Sequence, residues 1–201
     1  MKVLVACEES QTVCKAFRER GHEAYSNDII ECSGGHPEWH LQMDALEAVK
    51  LMDWDLMIAH PPCTYLCLSG IRWNTDNPKR QDLTNKAIDF MRNLLQLPIN
   101  KIAVENPIGV CNSIIGKPTQ IIRPLQFGHA SSKATCLWLK NLPKLLPTNI
   151  MQQEYYISSS GRKWDKWFFE TSLVSNLGER SKLRSKTFQG IANAMAEQWG
   201  E

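Results

Sequence analysis

Cys63 and Glu105 are the two side chains best placed to do covalent chemistry. Cys63 follows a short apolar run, Trp54-Asp55-Leu56-Met57-Ile58, by way of Ala59-His60-Pro61-Pro62, so a thiol stands just past what reads as the end of a buried strand. Two prolines hold φ at about −65° and bias the residue before each toward extended backbone, which stiffens the turn carrying the sulfur. A nucleophile needs that stiffness, because attack depends on a fixed approach to its target carbon. Lys101-Ile102-Ala103-Val104 is a second β-type run, and it ends in Glu105-Asn106-Pro107. Carboxyl ends of strands line the ligand crevice of an open parallel sheet, so the two strand ends would share a pocket. Addition of sulfur to an aromatic ring, with an acid protonating a ring nitrogen, requires such a pair. In isolation Pro-Pro-Cys reads better as a strand end with a small buried cysteine; Glu105 reverses that weighting.

The elements that would position these groups alternate. Lys2 to Ala6 reads as a strand, Thr12 to Arg20 as a helix ending at Gly21, and Glu23 to Ser26 as a second strand. Glu31 to His40, with Gly34, Gly35 and Pro37, reads as a loop, Ala45 to Met52 as a short helix, and Asp55 to Ala59 as a strand. Tyr65 to Pro78 is expected to be a mobile loop beyond the thiol. Arg80 to Leu95 carries Leu83, Ala87, Phe90, Met91, Leu94 and Leu95 at near-helical spacing, so it reads as a crossover helix before the strand Ile102 to Val104. Gln120 to Ile122 and Ala134 to Leu139 suggest an antiparallel edge, and Thr187 to Trp199 a closing helix. The alternation predicts an α/β fold with a mostly parallel sheet and helices on both faces.

With Pro-Pro-Cys followed by Glu-Asn, the chain resembles the cytosine-5 DNA methyltransferases, and more closely the short phage-type and prophage-type DNA cytosine methyltransferase-like proteins. The likeness rests on Met1-Lys2-Val3-Leu4-Val5-Ala6-Cys7-Glu8, Asp55-Leu56-Met57-Ile58-Ala59-His60-Pro61-Pro62-Cys63-Thr64-Tyr65, Ala103-Val104-Glu105-Asn106-Pro107, Lys133-Ala134-Thr135-Cys136-Leu137-Trp138-Leu139 and Arg184-Ser185-Lys186-Thr187-Phe188-Gln189-Gly190-Ile191-Ala192-Asn193-Ala194-Met195-Ala196. The resemblance implies a Rossmann-like, S-adenosylmethionine-dependent methyltransferase fold. It further implies that Cys63 attacks carbon 6 of a cytosine flipped out of DNA, that Glu105 holds or protonates ring nitrogen 3, and that carbon 5 takes a methyl group from S-adenosylmethionine. Lys133 stands where the larger family carries an arginine supporting the base, a point charge in place of a planar fork. The resemblance also places Pro62, Thr64, Asn106 and Arg72 at the substrate, and Pro61 and Asn193 at the cofactor. Phage or prophage origin in a bacterial host follows from the same likeness.

The first turn departs from the family pattern. Cys7-Glu8-Glu9-Ser10-Gln11-Thr12 contains no glycine, although the backbone there normally passes close to the methionine part of the cofactor. Glu8 or Glu9 could bridge the cofactor's amino group or repel its carboxylate, and Ser10 could cap the following helix. Asp28, closing the second strand, suits ribose hydroxyls, and Asp44 matches a position contacting the adenine amino group in related enzymes. Either aspartate reads equally as a surface carboxylate.

At 201 residues the chain suits one catalytic domain, 1–201, with residues 141–186 as a small insertion where the bilobal enzymes carry a target-recognition domain. No apolar run approaches the roughly 20 residues of a membrane span, and the first residues do not read as a signal peptide, so a cytoplasmic protein with no membrane partner is expected. Seven cysteines without paired spacing argue for reduced thiols, and no second ligand pair supports a zinc site around Cys63, Cys67 and His60, so no metal is expected. A net charge of +2 does not by itself announce DNA. Between Lys140 and Lys186, however, basic residues outnumber acids and interleave with Tyr155, Tyr156, Trp164, Trp167, Phe168 and Phe169, which suits phosphate neutralisation with base stacking as well as it suits a solvated loop. Two other readings stand beside DNA methylation: an enzyme modifying a pyrimidine nucleotide with a different one-carbon donor, and a catalytically inactive nucleic-acid-binding homologue.

Overall fold

A computed structural model describes the backbone of residues 1–201 and every side chain except that of Ser69. Apolar runs too short to make buried helices become strands covered on both faces. The chain runs β1 (Lys2–Ala6), α1 (Thr12–Glu19), β2 (Glu23–Asp28), β3 (His40–Gln42), α2 (Ala45–Ala48), β4 (Leu56–Ala59), α3 (Leu68–Ile71), α4 (Pro78–Gln96), β5 (Lys101–Pro107), α5 (Cys111–Ile114), β6 (Gln120–Ile122), β7 (Thr135–Lys140), β8 (Tyr155–Ile157), β9 (Lys163–Asp165), α6 (Lys166–Ser172), α7 (Leu177–Ser185) and α8 (Gln189–Trp199).

Strands β1 to β7 form one sheet in the order β3-β2-β1-β4-β5-β7-β6. Strands β1 to β5 pair in parallel, and β7 runs antiparallel between β5 and β6. The direction of winding reverses between β1 and β4, which makes their carboxyl tips the topological switch point. This is the mostly parallel α/β fold with an antiparallel edge that the strand and helix signals predict, with the Rossmann-like winding that the resemblance implies. Side chains alternate strictly across it. Val3, Val5, Leu56, Ile58, Ala103 and Leu137 pack with residues of α1 and α8 on one face, while Leu4, Ala6, Met57, Ala59, Ile102, Val104 and Cys136 pack with residues of α2 and α4 on the other.

Helix α1 buries Val13, Cys14, Ala16 and Phe17, and Gly21 ends it with φ +81°, its N–H donating to the Arg18 carbonyl at 2.8 Å. Helix α8 turns Ile191, Ala192, Ala194, Met195, Ala196 and Trp199 inward. Its entry admits only glycine at position 190, since a Cβ there would lie 1.7 Å from the Phe127 carbonyl oxygen.

Two expectations change, and the small insertion gains structure. The loop read over 31–40 includes a 3₁₀ turn, Pro37–Trp39, and runs into edge strand β3. The segment read as a mobile loop over 65–78 contains α3 and a 3₁₀ turn, Arg72–Asn74. The interval 141–186 holds a two-stranded ribbon, β8–β9, followed by α6 and α7.

Candidate active site at the carboxyl edge of the sheet

Register brings the site together. Ile58 pairs with Ala103 and Ala59 with Val104, so the residue after β4, His60, meets Glu105 on the face covered by α1 and α8. Thr135, at the start of β7, reaches the same carboxyl diagonally across the antiparallel pair. His60 Nδ1 lies 3.5 Å from Glu105 Oε2, and the Thr135 hydroxyl donates to Glu105 Oε1.

Burial works against charge on Glu105, but His60, Lys133 and Thr135 outweigh it and hold the carboxyl below its ordinary range. His60 shows the reciprocal balance: burial opposes its charge, Glu105 and then Glu8 favour it, and the net displacement is upward. Each group therefore favours the charged form of the other. His60 Nε2 is buried without a partner among the described residues.

Cys63 sits on a braced turn. Pro61 is buried, and its carbonyl accepts from Asn106 Nδ2 at 2.8 Å, tying the turn to β5. The Leu66 and Cys67 N–H groups donate to the Cys63 carbonyl at 2.9 and 3.1 Å, with Leu66 wholly buried beneath. The loop after β5 clasps the turn through a Cys67–Gly109 bridge and a Val110 N–H donated to the Leu66 carbonyl at 2.9 Å. Cys63 itself is exposed at the surface, yet crowding by surrounding protein pushes its thiol up, Cys67 and Glu105 add to this, and Lys133 opposes it. Thiol, carboxyl and ammonium are thus within electrostatic reach of one another.

His60, Glu105, Lys133 and Thr135 line a cavity closed by the 185–188 segment and by Ile191 and Met195 of α8. Its volume, about 20 Å³, holds roughly one water, far less than a nucleobase. Lys133 Nζ donates to the Arg184 carbonyl at 2.6 Å and so pins the end of α7 beside that segment.

The remaining sequence-derived positions fall in three places. At the tips of β1 to β3, Cys7 adopts φ +59° and its thiol is pushed up to about 12 by burial and by the Asp28 and Asp44 carboxylates. Asp28 accepts from Ile30 N–H at 3.3 Å, and exposed Asp44 caps α2 through Leu46 N–H at 2.8 Å. Asn27 Oδ1, buried one residue before Asp28, has no partner among the described residues. Glu8 turns inward, 5 % exposed, and its two oxygens accept from Val13 N–H at 2.7 Å and Cys14 N–H at 3.1 Å, which caps α1. Ser10 bonds Thr12 through their hydroxyls at 3.1 Å, leaving the capping to Glu8. Around the thiol, Pro62 and Thr64 are exposed, Asn106 is buried, and Arg72 lies farther along with its guanidinium 4.8 Å from the Trp73 ring centre. Asn193 stands apart on the outer side of α8, accepting from Gln189 Nε2 at 2.8 Å, in a separate cleft with Arg20, Asn149 and Glu197.

Sequence reasoning left His60 without a role, and its partner is visible only through register. His129 is a structural tie: its Nε2 accepts the Gly190 N–H at 3.0 Å. Among the described residues no group of three or more His, Cys, Asp or Glu could hold a metal ion, and no helix is long and apolar enough to cross a membrane.

No known protein-family model matches the chain. No curated protein matches it either. Among solved structures it is similar to a prophage-encoded E. coli protein provisionally described as a DNA modification methyltransferase, with 15% identity and a TM-score of 0.48 over 76% of this chain and 52% of that one. It is also similar to an rRNA methylase from Escherichia coli (15%, TM-score 0.36, covering 69% and 55%) and to the 16S rRNA methylase RmtB (14%, TM-score 0.33, covering 69% and 55%). The chain spans about half the length of each. Likeness at this level bears on neither substrate nor chemistry.

Proposed function

We propose that this chain modifies cytosine at carbon 5 in DNA, with Cys63 as nucleophile, Glu105 at ring nitrogen 3 and S-adenosylmethionine as methyl donor. The observation that carries this reading is an exposed thiol on a turn tied through Asn106 and the Gly109 bridge to β5, the strand whose tip bears Glu105. In the reaction the Cys63 thiol gives its proton to solvent, its sulfur bonds carbon 6, the ring's 5,6 π electrons shift toward carbon 5, and nitrogen 3 takes a proton. Glu105 as a carboxylate has no proton to give. The imidazolium of His60 beside it supplies one, passed through Glu105 to the ring. Once carbon 5 carries the methyl group it would lose its own proton to water, the carbon 6–sulfur bond would break to restore the 5,6 double bond, and Cys63 would leave as thiolate. Lys133 steadies charge on the same wall. A ring enters only when the 185–188 segment moves off the cavity, which requires release of the Lys133–Arg184 contact.

The tips of β1 to β3 fit the donor in charge. Asp28 and Asp44 crowd negative charge around Cys7, and the orphaned Asn27 oxygen adds an acceptor, a setting suited to a cationic sulfonium with ribose hydroxyls. Asp28, Asp44 and Pro61 would hold it, and it would supply the methyl group. Residues 141–186 take the place of a target-recognition domain.

DNA containing 5-fluorocytosine tests the reading. With S-adenosylmethionine present the wild type should form a denaturant-stable protein–DNA adduct, and Cys63→Ala should form none. Equal trapping by both proteins ends the proposal.

One observation favours a second reading. Glu8 already satisfies the first N–H groups of α1, where a donor's carboxylate would otherwise bind, which suits a pyrimidine-nucleotide enzyme with another one-carbon donor. Calorimetry with S-adenosylmethionine, S-adenosylhomocysteine and deoxycytidine nucleotides separates the two. An inactive nucleic-acid-binding homologue would bind DNA in a salt-sensitive way and form no modified base.

A further inference from the structure

The β8–β9 ribbon belongs to no larger sheet, and a lone two-stranded ribbon is marginal in water. It nevertheless turns large rings to solvent. Tyr156 pairs with Trp164 across the antiparallel register, so both stand on one face, 40% and 43% exposed. Tyr156 lies flat on Phe169, ring centres 3.6 Å apart and planes 5° from parallel, and the Arg162 guanidinium sits 4.2 Å over Trp164. Among the described residues neither Arg162 nor Lys163 makes an ion pair, so both charges at the hairpin end of the ribbon are uncompensated.

The ribbon is also fixed to the wall of the closed cavity. Asp165 accepts from Ser132 N–H at 2.8 Å and from its hydroxyl at 2.9 Å, and its other oxygen caps α6 through Phe168 N–H at 3.1 Å. The next residue along that wall is Lys133, whose ammonium lies 5.6 Å from the Trp167 ring centre. Flat aromatic surface, unpaired cations and the Glu105 cavity therefore belong to one continuous construction.

We propose that the β8–β9 ribbon is a stacking platform for the unpaired bases of single-stranded DNA, leading the strand toward the Glu105 cavity. Every base presents a π-face, so protruding rings bind strands irrespective of sequence, while Arg162 and Lys163 neutralise phosphates. A duplex hides those faces inside its stack. That the strand is DNA rests on the function proposed above; that it is unpaired rests on the ribbon alone.

The test is fluorescence anisotropy of the full chain with a labelled oligothymidylate of about 16 nucleotides. Containing no cytosine, this probe reports on the ribbon even if the Cys63 chemistry is wrong, and adduct trapping reports on Cys63 even if the ribbon binds nothing. Trp164→Ala should weaken binding about tenfold, and Trp164→Phe should keep most of it. Arg162→Ala should lower the magnitude of the log–log salt slope by about 0.7. That slope decides the matter alone if Trp164→Ala melts early. Binding of a duplex as tightly as the single strand, or no change in either variant, overturns the proposal. Tighter binding of an oligouridylate than of the oligothymidylate overturns the assignment to DNA. Self-association of wild type that Trp164→Ala abolishes would instead make the ribbon an interface between copies of the chain.

Discussion

His60 Nδ1 lies 3.5 Å from Glu105 Oε2 because register sets the residue after β4 beside the fifth residue of β5. Charge on each favours charge on the other, and the signs give a pH window. Glu105 is held below its ordinary value of 4.5, so its contribution to stability is present above 4.5 and is lost as pH falls through the folded value. His60 is held above its ordinary 6.5, so its contribution is present below 6.5 and is lost as pH rises through the folded value. Both are in force between 4.5 and 6.5. His60→Gln should cost about 2 kcal/mol in that window and less on either side, measured by denaturant unfolding across pH. A cost independent of pH would mean the pair is uncharged.

The Cys63 thiol is tuned by neighbours of opposite sign. Crowding, Cys67 and Glu105 raise it from the ordinary 9.0, and Lys133 opposes them. Alkylation by iodoacetamide at neutral pH, followed at the Cys63 peptide by mass spectrometry, should therefore be slower than for an isolated thiol. Lys133→Met should slow it further and Glu105→Gln should speed it. Equal shifts in one direction would point to altered access instead of altered charge.

How much was legible depends on what each residue's role requires. Strands β1, β4 and β5 could be read because buried parallel strands need continuous apolar runs, and α4 because its apolar stripe covers one face of the sheet. Strand β3, His40-Leu41-Gln42, could not: it joins the sheet edge through backbone pairing with β2 and buries none of its three residues. Helix α7 buries nothing either, and its start is set by Asn176 accepting from the Gly178 and Glu179 N–H groups. Cys63 and Glu105 stood out by residue type at strand ends. His60 did not, since one histidine before two prolines reveals no partner until strand register is known. Glu8 was equally opaque, because α1 begins after Gln11 in the left-handed region, φ +58°, and its cap comes from three residues earlier.

Gly109 holds the thiol's turn against β5. A Cβ there would lie 2.0 Å from the Leu66 carbonyl oxygen, a backbone atom that cannot swing away. Gly109→Ala should displace the Cys63 turn by a fraction of an ångström to an ångström, and adduct formation with 5-fluorocytosine DNA should fall about 100-fold. Alkylation of Cys63 should continue, since the thiol stays exposed. Retention of both activities would show that the clasp does not position the sulfur.

Glu8 offers a separation of capping from ligand binding. Both of its oxygens accept helix N–H groups, so Glu8→Ala should destabilise the fold by about 1–2 kcal/mol. Burial pushes this carboxyl above its ordinary 4.5, against the pull of His60 and the two N–H groups. The folded state thus tolerates the protonated form better than the unfolded chain does, and wild type should lose stability as pH rises from 4.5 through the folded value. Glu8→Gln removes that loss, so its stability relative to wild type should improve over the same range in denaturant unfolding. With both oxygens committed to α1, Glu8→Gln should leave the affinity for S-adenosylmethionine unchanged in calorimetry. A weakened affinity would instead make Glu8 a direct contact of the donor and would require α1 to give up its cap when the donor binds.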